Sequence, residues 1–288
     1  MLAKIVLPWF FMTISLIYLW LTIFKLAITG DVKTLSSWSA LKEAWFGEFW
    51  KFMGPKAKAS AEDKVLPLLE GRIRDGRVSE RGTSKPIEGV VLEIGAGSGM
   101  WTESLATVVR SAKAESRAAP TKIYGVEPNP VSAASLKRRV EEVGLKGTYQ
   151  VVPVGIEDLQ NESAWGGRIE PGSVDCIMTV QCLCSIPEPE KNIQLLYNYL
   201  KKGGRWYVFE HVKAEQGLFI PFFQQFTNIF WGHMMGSCQL CRATGQTLRQ
   251  VGSWSEVDLA QPPDESSSDV IPHVVGVLTK YLVNYNTT

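Results

Sequence analysis

The chain is short of the features that usually announce a partner. Its 30 Lys and Arg almost balance 29 Asp and Glu, for a net charge of +1. No global field is available to draw in nucleic acid, and partners must be sought in local features. Cysteine is scarce and odd in number: Cys176, Cys182, Cys184, Cys238 and Cys241. Five cysteines in 288 residues do not make a disulfide scaffold, and they favour reduced thiols on the cytosolic side of a membrane. Histidine is scarcer still, at three residues. Cys238 and Cys241 have the C-x-x-C spacing of a zinc or redox pair, but no second pair follows and only His233 is near, so no metal is expected. The third absence is charge itself between Ile5 and Phe24.

That run is bracketed by Lys4 and Lys25, and its 20 residues would rise about 30 Å as a helix, the thickness of a bilayer core. It is longer than a signal-peptide core and is followed by a poor cleavage pattern, so residues 1–30 are expected to be an uncleaved transmembrane anchor. Trp9, Tyr18 and Trp20 suit the headgroup level. Residues 31–70 are expected to be amphipathic. Trp38, Leu41, Trp45, Phe49 and Phe52 recur every three or four residues and would share one helical face, packed on the domain, lying in the membrane interface or closing a pocket. The polar, glycine-rich stretch 71–89 reads as a linker.

From residue 90 onward, strand and helix patterns alternate. Strands are expected at Val90–Ile94, up to Glu127, in "TYQVVPV", in "SVDCIMTV" and in "GGRWYVFEHV", with a last one in Pro272–Val283 at the sheet's edge. Such alternation predicts an α/β domain over 90–288, with a largely parallel sheet covered on both faces. Ligands of these sheets bind beyond the carboxyl ends of the strands.

The residues at those ends form a set. Glu93 leads into "GAGSG", where Gly95, Ala96, Gly97 and Gly99 give a nearly bare backbone that a flat ligand can approach. Glu127, at the end of the next strand and followed by Pro128 and Asn129, is placed to accept the two hydroxyls of a ribose. Ile156 and Glu157 follow the third strand at the position of an adenine edge, and Val180 and Gln181 close the fourth. The glycine spacing is G-x-G-x-G rather than G-x-G-x-x-G, which leaves nicotinamide chemistry as a runner-up.

This set resembles the class I S-adenosylmethionine-dependent methyltransferases, whose Rossmann-like sheet has seven strands. More closely, the chain resembles the methyltransferase-like family seven, membrane-anchored microsomal proteins that methylate alkyl thiols. The pieces that match are the apolar amino terminus, "EPNP" (127–130), "SVD" (173–175), "LCS" (183–185), Gly203–Gly204, "EHV" (210–212), "QQ" (224–225), the C-x-L-x-R run from Cys238 to Arg242, and "PHVVG" (272–276). Three positions depart from it: Cys241 stands for a threonine, "TVQCLCS" for C-T-L-V-L-C-S, and Gly245 for an aromatic residue. The resemblance implies S-adenosylmethionine as cofactor, a small apolar thiol as acceptor, and attachment to the endoplasmic reticulum or a lipid droplet with the domain in the cytosol. Methylation of a nitrogen or oxygen of a secondary metabolite is the alternative. Nucleic acid is not expected, because there is neither a basic face nor an N-P-P-Y motif.

Methyl transfer from a sulfonium needs alignment and dryness more than acid–base help. His211, at the end of the fifth strand, is the candidate base or orienting group, or else it serves a buried backbone atom. Cys182 and Cys184 alternate onto one face if strand four continues through them. Cys182, Phe223, Trp231, Cys238 and Arg242 are the acceptor-side candidates. The last four lie in or just after "GLFIPFFQQFTNIFWGHMMG", which is too apolar for a free surface helix.

Overall fold

The structure is a computed structural model, and it describes residues 2–282. Three helices come first: α1 (Leu2–Thr29), α2 (Val32–Ser36) and α3 (Trp38–Leu69). A two-stranded hairpin follows, β1 (Ile73–Arg74) with β2 (Arg77–Val78). The alternating part then runs β3 (Gly89–Ile94), α4 (Thr102–Ala114), β4 (Pro120–Val126), α5 (Pro130–Glu142), β5 (Tyr149–Val152), α6 (Glu162–Trp165), β6 (Val174–Val180), α7 (Pro189–Tyr199) and β7 (Leu200–His211). It closes with α8 (Phe219–Met234), α9 (Thr244–Gln250), β8 (Trp254–Ala260) and β9 (His273–Lys280).

Seven strands among the described residues form one sheet in the order β5-β4-β3-β6-β7-β9-β8. The five from β3 to β7 are parallel, as their crossover helices require, and β9 runs antiparallel to both β7 and β8. The strand expected at the edge is therefore second from it. The segment 254–260, which carries exposed Ser255 and Glu256 between apolar neighbours, supplies the edge instead. Charge on an edge strand is a common protection against further pairing, and it disguised this strand in the sequence. Of the expected last strand, Val283 lies outside the described residues.

Each face of the sheet has its own core. Val91, Ile123, Met178, Tyr207 and Val277 face α3, α4 and α5, while Leu92, Val126, Ile177, Trp206 and Leu278 face α7 and α9. The lower half of α3 belongs to the first of these, through Ala61, Val65, Leu68 and Leu69.

The stretch 71–89 is not a free linker. Ile73 and Ile87 are fully buried, Tyr207 Oη donates to the Lys85 carbonyl at 2.7 Å, and Arg205 pairs with Glu88 at 2.8 Å. Its glycines and charges serve a tight hairpin and two docking contacts, a composition that sequence alone cannot distinguish from a loop.

The upper half of α3 packs against α1 and α8 around Met12, Phe49, Met53, Trp231 and Met235. Of the stripe read from the sequence, Leu41, Trp45 and Phe49 are buried, with Met53 extending them. Trp38 and Phe52 lie on the exposed flank, and Phe52 stacks on Tyr18 of α1 at 5.4 Å. Trp45 Nε1 donates to the Ser15 carbonyl, and Ser15 Oγ to the Met234 carbonyl, each at 2.6 Å. Lys4 pairs with Asp269 near one end of α1 and Lys25 with Glu48 near the other.

Candidate active site

The site forms where β3, β4, β6 and β7 end side by side, with Ile94 opposite Val126 on one flank and Thr179 on the other. After Ile94 the chain turns through Gly95, Ala96, Gly97 and Gly99 into α4. Gly95 has φ +66°, and a Cβ there would stand 2.5 Å from Cys182 Cβ, so any side chain would push the loop off the β6 turn. Gly97 has φ +56° and faces open ground. Ala96 is buried beneath the loop.

Glu93 lies under the loop, 2 % exposed. Its Oε2 accepts from Tyr149 Oη at 2.5 Å, and its Oε1 has no partner among the described residues. Tyr149 reaches it by crossing β4 at Gly125, where any Cβ would collide with the phenol ring. Burial pushes the Glu93 carboxyl up to about 7, against the Tyr149 hydrogen bond that pulls it down.

The carboxylate of Glu127 bridges the loop and the next helix. Oε2 accepts from Gly97 N and Oε1 from Asn129 N, both at 2.9 Å. Each oxygen keeps one lone pair free. Burial raises this carboxyl, opposed by the hydrogen bonds from Asn129 and Gly97. The rest of "EPNP" is helix-start chemistry: Asn129 Oδ1 accepts from Val131 N and Ser132 N, and Pro130 takes the first helical position. Asn129 is thus a cap by its side chain and a partner of Glu127 by its backbone, while Pro128 is exposed. Ile156 is buried in a short 3-10 turn, with Glu157 exposed beside it.

On the other side of the loop, Val180 is buried at the end of β6 and Gln181 holds φ +52°, a backbone state uncommon outside glycine. The Gln181 amide donates to the Phe209 carbonyl at 2.8 Å, which fixes the turn to β7. Cys182 and Cys184 lie in this turn, beyond the strand, and they separate. Cys182 is set against Gly95 and Glu210, Cys184 against Cys238. Glu210, fully buried, accepts from the amides of Cys182 at 3.0 Å and Leu183 at 3.2 Å. It is the brace of the turn rather than the partner of His211. Burial pushes its carboxyl up to about 8, with the Cys184 charge adding to the effect.

His211 is 6 % exposed, with Nε2 at 3.1 Å from Cys238 Sγ and Nδ1 without a partner among the described residues. Cys238 Sγ lies 3.5 Å from Cys184 Sγ and accepts from Trp231 Nε1 at 3.2 Å. The hydrogen bond from Cys238 lowers the Cys184 thiol well below its ordinary range, against burial. Burial works to lower the His211 imidazolium, but the charges of Cys184 and Glu210 outweigh it and raise the group.

The acceptor-side candidates divide. Cys182, Trp231 and Cys238 gather here. Phe223 does not: it stacks on Phe219 at 6.2 Å and packs against Ile5 and Trp9 of α1. Arg242 binds the turn from behind, donating to the carbonyls of Leu183 and Ile186, both at 2.6 Å. A cleft of ≈ 470 Å³ between α3, α8 and the 236–242 loop touches Arg242 and Gln239 but no residue of the glycine loop, so it is not the cofactor site. Tyr149 escaped the sequence reading, and the signal for it was Gly125, a glycine inside a strand.

A cradle open above Gly97, a strand-end carboxylate with two acceptor positions to spare and a buried carboxyl oxygen on Glu93 without a partner among the described residues could hold an adenosine-and-amino-acid ligand. They define a class I, S-adenosylmethionine-dependent methyltransferase. The Methyltransferase domain family matches residues 56–249, most of the chain, and the protein belongs to that family. Its match begins inside α3, in keeping with the burial of that helix's lower half in the domain core. The chain is 26 % identical to thiol S-methyltransferase TMT1B of Rattus norvegicus over 85 % of its own length and 90 % of the relative's. It is 29 % identical to thiol S-methyltransferase TMT1A of Homo sapiens over 39 % of this chain and 46 % of that one. Among solved structures, an O-methyltransferase family protein from Burkholderia thailandensis superposes with a TM-score of 0.52 at 13 % identity, over 94 % of this chain and 72 % of that one. This last likeness concerns the fold alone.

Proposed function

We propose that the protein methylates the sulfur of a small apolar thiol at a membrane surface. The observation that carries this reading is the wall around Cys238: Trp231, Met235, Phe49 and Met53, with Met12 and Trp9 of the anchor helix behind them, an apolar cluster that joins the site to α1. An acceptor arriving from lipid would first meet the exposed apolar faces of α1 and α8, Phe10, Ile17, Phe226 and Ile229 among them, and this buried cluster behind them. The names of the two curated relatives point to the same acceptor atom.

The cofactor supplies an already activated methyl group. In this reading Glu127 receives the ribose hydroxyls on its two free lone pairs. The loop Gly95–Gly99 receives the amino-acid portion, Ile156 and Glu157 border the adenine, and Val180 and Gln181 close the side nearest the acceptor. A thiol is partly ionised near neutral pH and needs little base help. His211, whose Nε2 is occupied by Cys238, orients the sulfur side of the pocket in preference to stripping a proton from bulk acceptor. Displacement joins the acceptor sulfur to the methyl carbon and returns an electron pair to the cofactor sulfur.

Attachment to the membrane is assigned to the outer face of α1, where Leu7, Phe10, Ile17, Trp20, Leu21 and Phe24 are exposed. Phe222, Phe226 and Ile229 of α8 extend it. Lys4 and Lys25 stand about 31 Å apart along α1, and both are paired to the folded body. These two ties favour a helix lying along the membrane surface, while its length and hydropathy keep the crossing helix expected from the sequence as the alternative. Five free cysteines favour the cytosolic side, and the resemblance favours endoplasmic reticulum or lipid droplet. The test is turnover of an apolar alkyl thiol beside a charged thiol and an apolar phenol. Preference for the alkyl thiol supports the reading, and equal use of the charged thiol, or use of the phenol alone, overturns it.

A further inference from the structure

Cys184, His211 and Cys238 come from three separate elements, the turn after β6, the end of β7 and the loop after α8, yet their sulfur and Nε2 atoms all lie within 4.8 Å of one another. We propose that they form a three-ligand site for a soft divalent cation, zinc above all, with its fourth position left open for the acceptor sulfur. The second half of this proposal rests on the thiol reading above, and the first half does not.

The geometry is close to what a tetrahedral zinc ion imposes. Zinc–sulfur bonds near 2.3 Å and zinc–nitrogen bonds near 2.05 Å place sulfurs about 3.8 Å apart and sulfur and nitrogen about 3.6 Å apart. Here the two sulfurs are 3.5 Å apart and His211 Nε2 is 3.1 Å from Cys238 Sγ. An outward adjustment of about 0.3 Å for the sulfur pair and about 0.5 Å for this sulfur–nitrogen pair would suit the ion, and the remaining pair lies within 4.8 Å. Two thiolates and an imidazole are the donor set that selects zinc over magnesium or calcium.

The surroundings hold these donors in place. Gln239 N donates to the Cys184 carbonyl at 3.0 Å, tying the two cysteine-bearing turns together. Leu240 N donates to Asn228 Oδ1 at 2.7 Å and Arg242 grips the other side of the Cys184 turn. Trp231 Nε1 donates to Cys238 Sγ, the kind of outer-shell hydrogen bond that steadies a metal thiolate. No fourth Cys, His, Asp or Glu joins the group among the described residues, and the nearest carboxylate, Glu210, is occupied by the amides of Cys182 and Leu183. Three protein ligands match the number at catalytic zinc, whereas structural zinc takes four, and the proposal gives the fourth position to the acceptor. The C-x-x-C spacing pointed at the wrong pair: Cys241 is not in the group.

The chemistry balances. Two thiol protons are released to solvent when the cation binds Cys184 and Cys238, and a third when an acceptor thiol takes the open position as thiolate. A lone pair of that sulfur forms the new bond to the methyl carbon as the carbon–sulfonium bond breaks, and the product, a neutral thioether, is a poorer ligand and leaves.

The test is titration of the reduced, metal-free full chain in detergent with Co²⁺ as probe, followed by zinc competition and elemental analysis. We expect one ion per chain, a thiolate-to-cobalt charge-transfer band that shifts when a small apolar thiol is added, and affinity at least tenfold weaker in C184S and C238S but unchanged in C241S. S-adenosylmethionine binding and thermal melting of the variants establish that they fold. Absence of the band with both thiols free to a thiol reagent overturns the site, as does isolation of a Cys184–Cys238 disulfide in its place. Thiol turnover that persists without metal and resists chelation leaves the thiol reading standing and removes the ion. A bound ion whose band ignores thiols overturns the open position. A bound ion with a thiol-sensitive band but no thiol turnover supports the site and counts against the thiol reading.

Discussion

On the proposed reading the cofactor side depends on Glu127, because one carboxylate holds Gly97 N and Asn129 N and still has two acceptor positions that a ribose could use. Glu127→Ala should weaken S-adenosylmethionine binding by roughly 10- to 100-fold, the loss of one or two charge-assisted hydrogen bonds, as calorimetry would measure. Gly95→Ala should do comparable damage by another route, since its φ of +66° and its closeness to Cys182 leave no room for a methyl. A lowered melting temperature with loss of cofactor binding is the expected result. Glu93 gives a pH signature. Its carboxyl titrates near 7 in the fold against 4.5 when free, so between those values the unfolded chain loses a proton that the native chain keeps. Stability of the cofactor-free protein should therefore fall as pH rises from about 4.5 to about 7, by on the order of 3 kcal/mol from this residue, and level off above. Glu93→Gln should flatten that part of a denaturation-against-pH curve. At this scale the sequence was informative wherever a residue's work is done by its own backbone position, as with Gly95 and Glu127. It was weak where the partner arrives from another element: only Gly125, a glycine inside the intervening strand, hints at Tyr149 over Glu93, and nothing local marks Cys184 as a neighbour of Cys238.

Among the elements, the parallel core β3 to β7 was legible because each strand is an apolar run followed by an amphipathic helix. The hairpin at 73–78 and the edge strand β8 were not, for both are charged and shaped by what they dock on. The stripe on α3 was read with the right period but slightly rotated: its buried line continues to Met53, while Trp38 and Phe52 fall on the flank. Helix α1 makes the sharpest prediction of this kind. With Lys4 bound to Asp269 and Lys25 to Glu48, a tag on the amino terminus should lie on the same side of the membrane as the catalytic domain. Protease accessibility of both in sealed microsomes would demonstrate this, and protection of the tag alone would mean that α1 crosses. Replacing Phe10, Ile17 and Phe24 by serine should shift the protein toward the soluble fraction with little change in melting, because these side chains are already exposed.

Taken whole, the molecule is a methyltransferase sheet packed against an amino-terminal apolar helix, and on the proposed reading the acceptor wall is continuous with that helix. The buried cluster of Met12, Phe49, Met53, Trp231 and Met235 belongs to both, so truncation of α1 should cost stability as well as location. On that reading membrane attachment and acceptor choice would be two results of one packing arrangement, in keeping with the apolar residues that crowd 38–52 and 219–235. The measurement that bears most directly on this account is transfer of an isotopically labelled methyl group from S-adenosylmethionine to an alkyl thiol by the full chain in detergent, run beside Glu127→Ala. The account predicts label on sulfur, with the rate at low cofactor reduced at least tenfold in the variant. Label on oxygen or nitrogen of competing acceptors, or no transfer to the thiol by a chain that binds the cofactor, would contradict it.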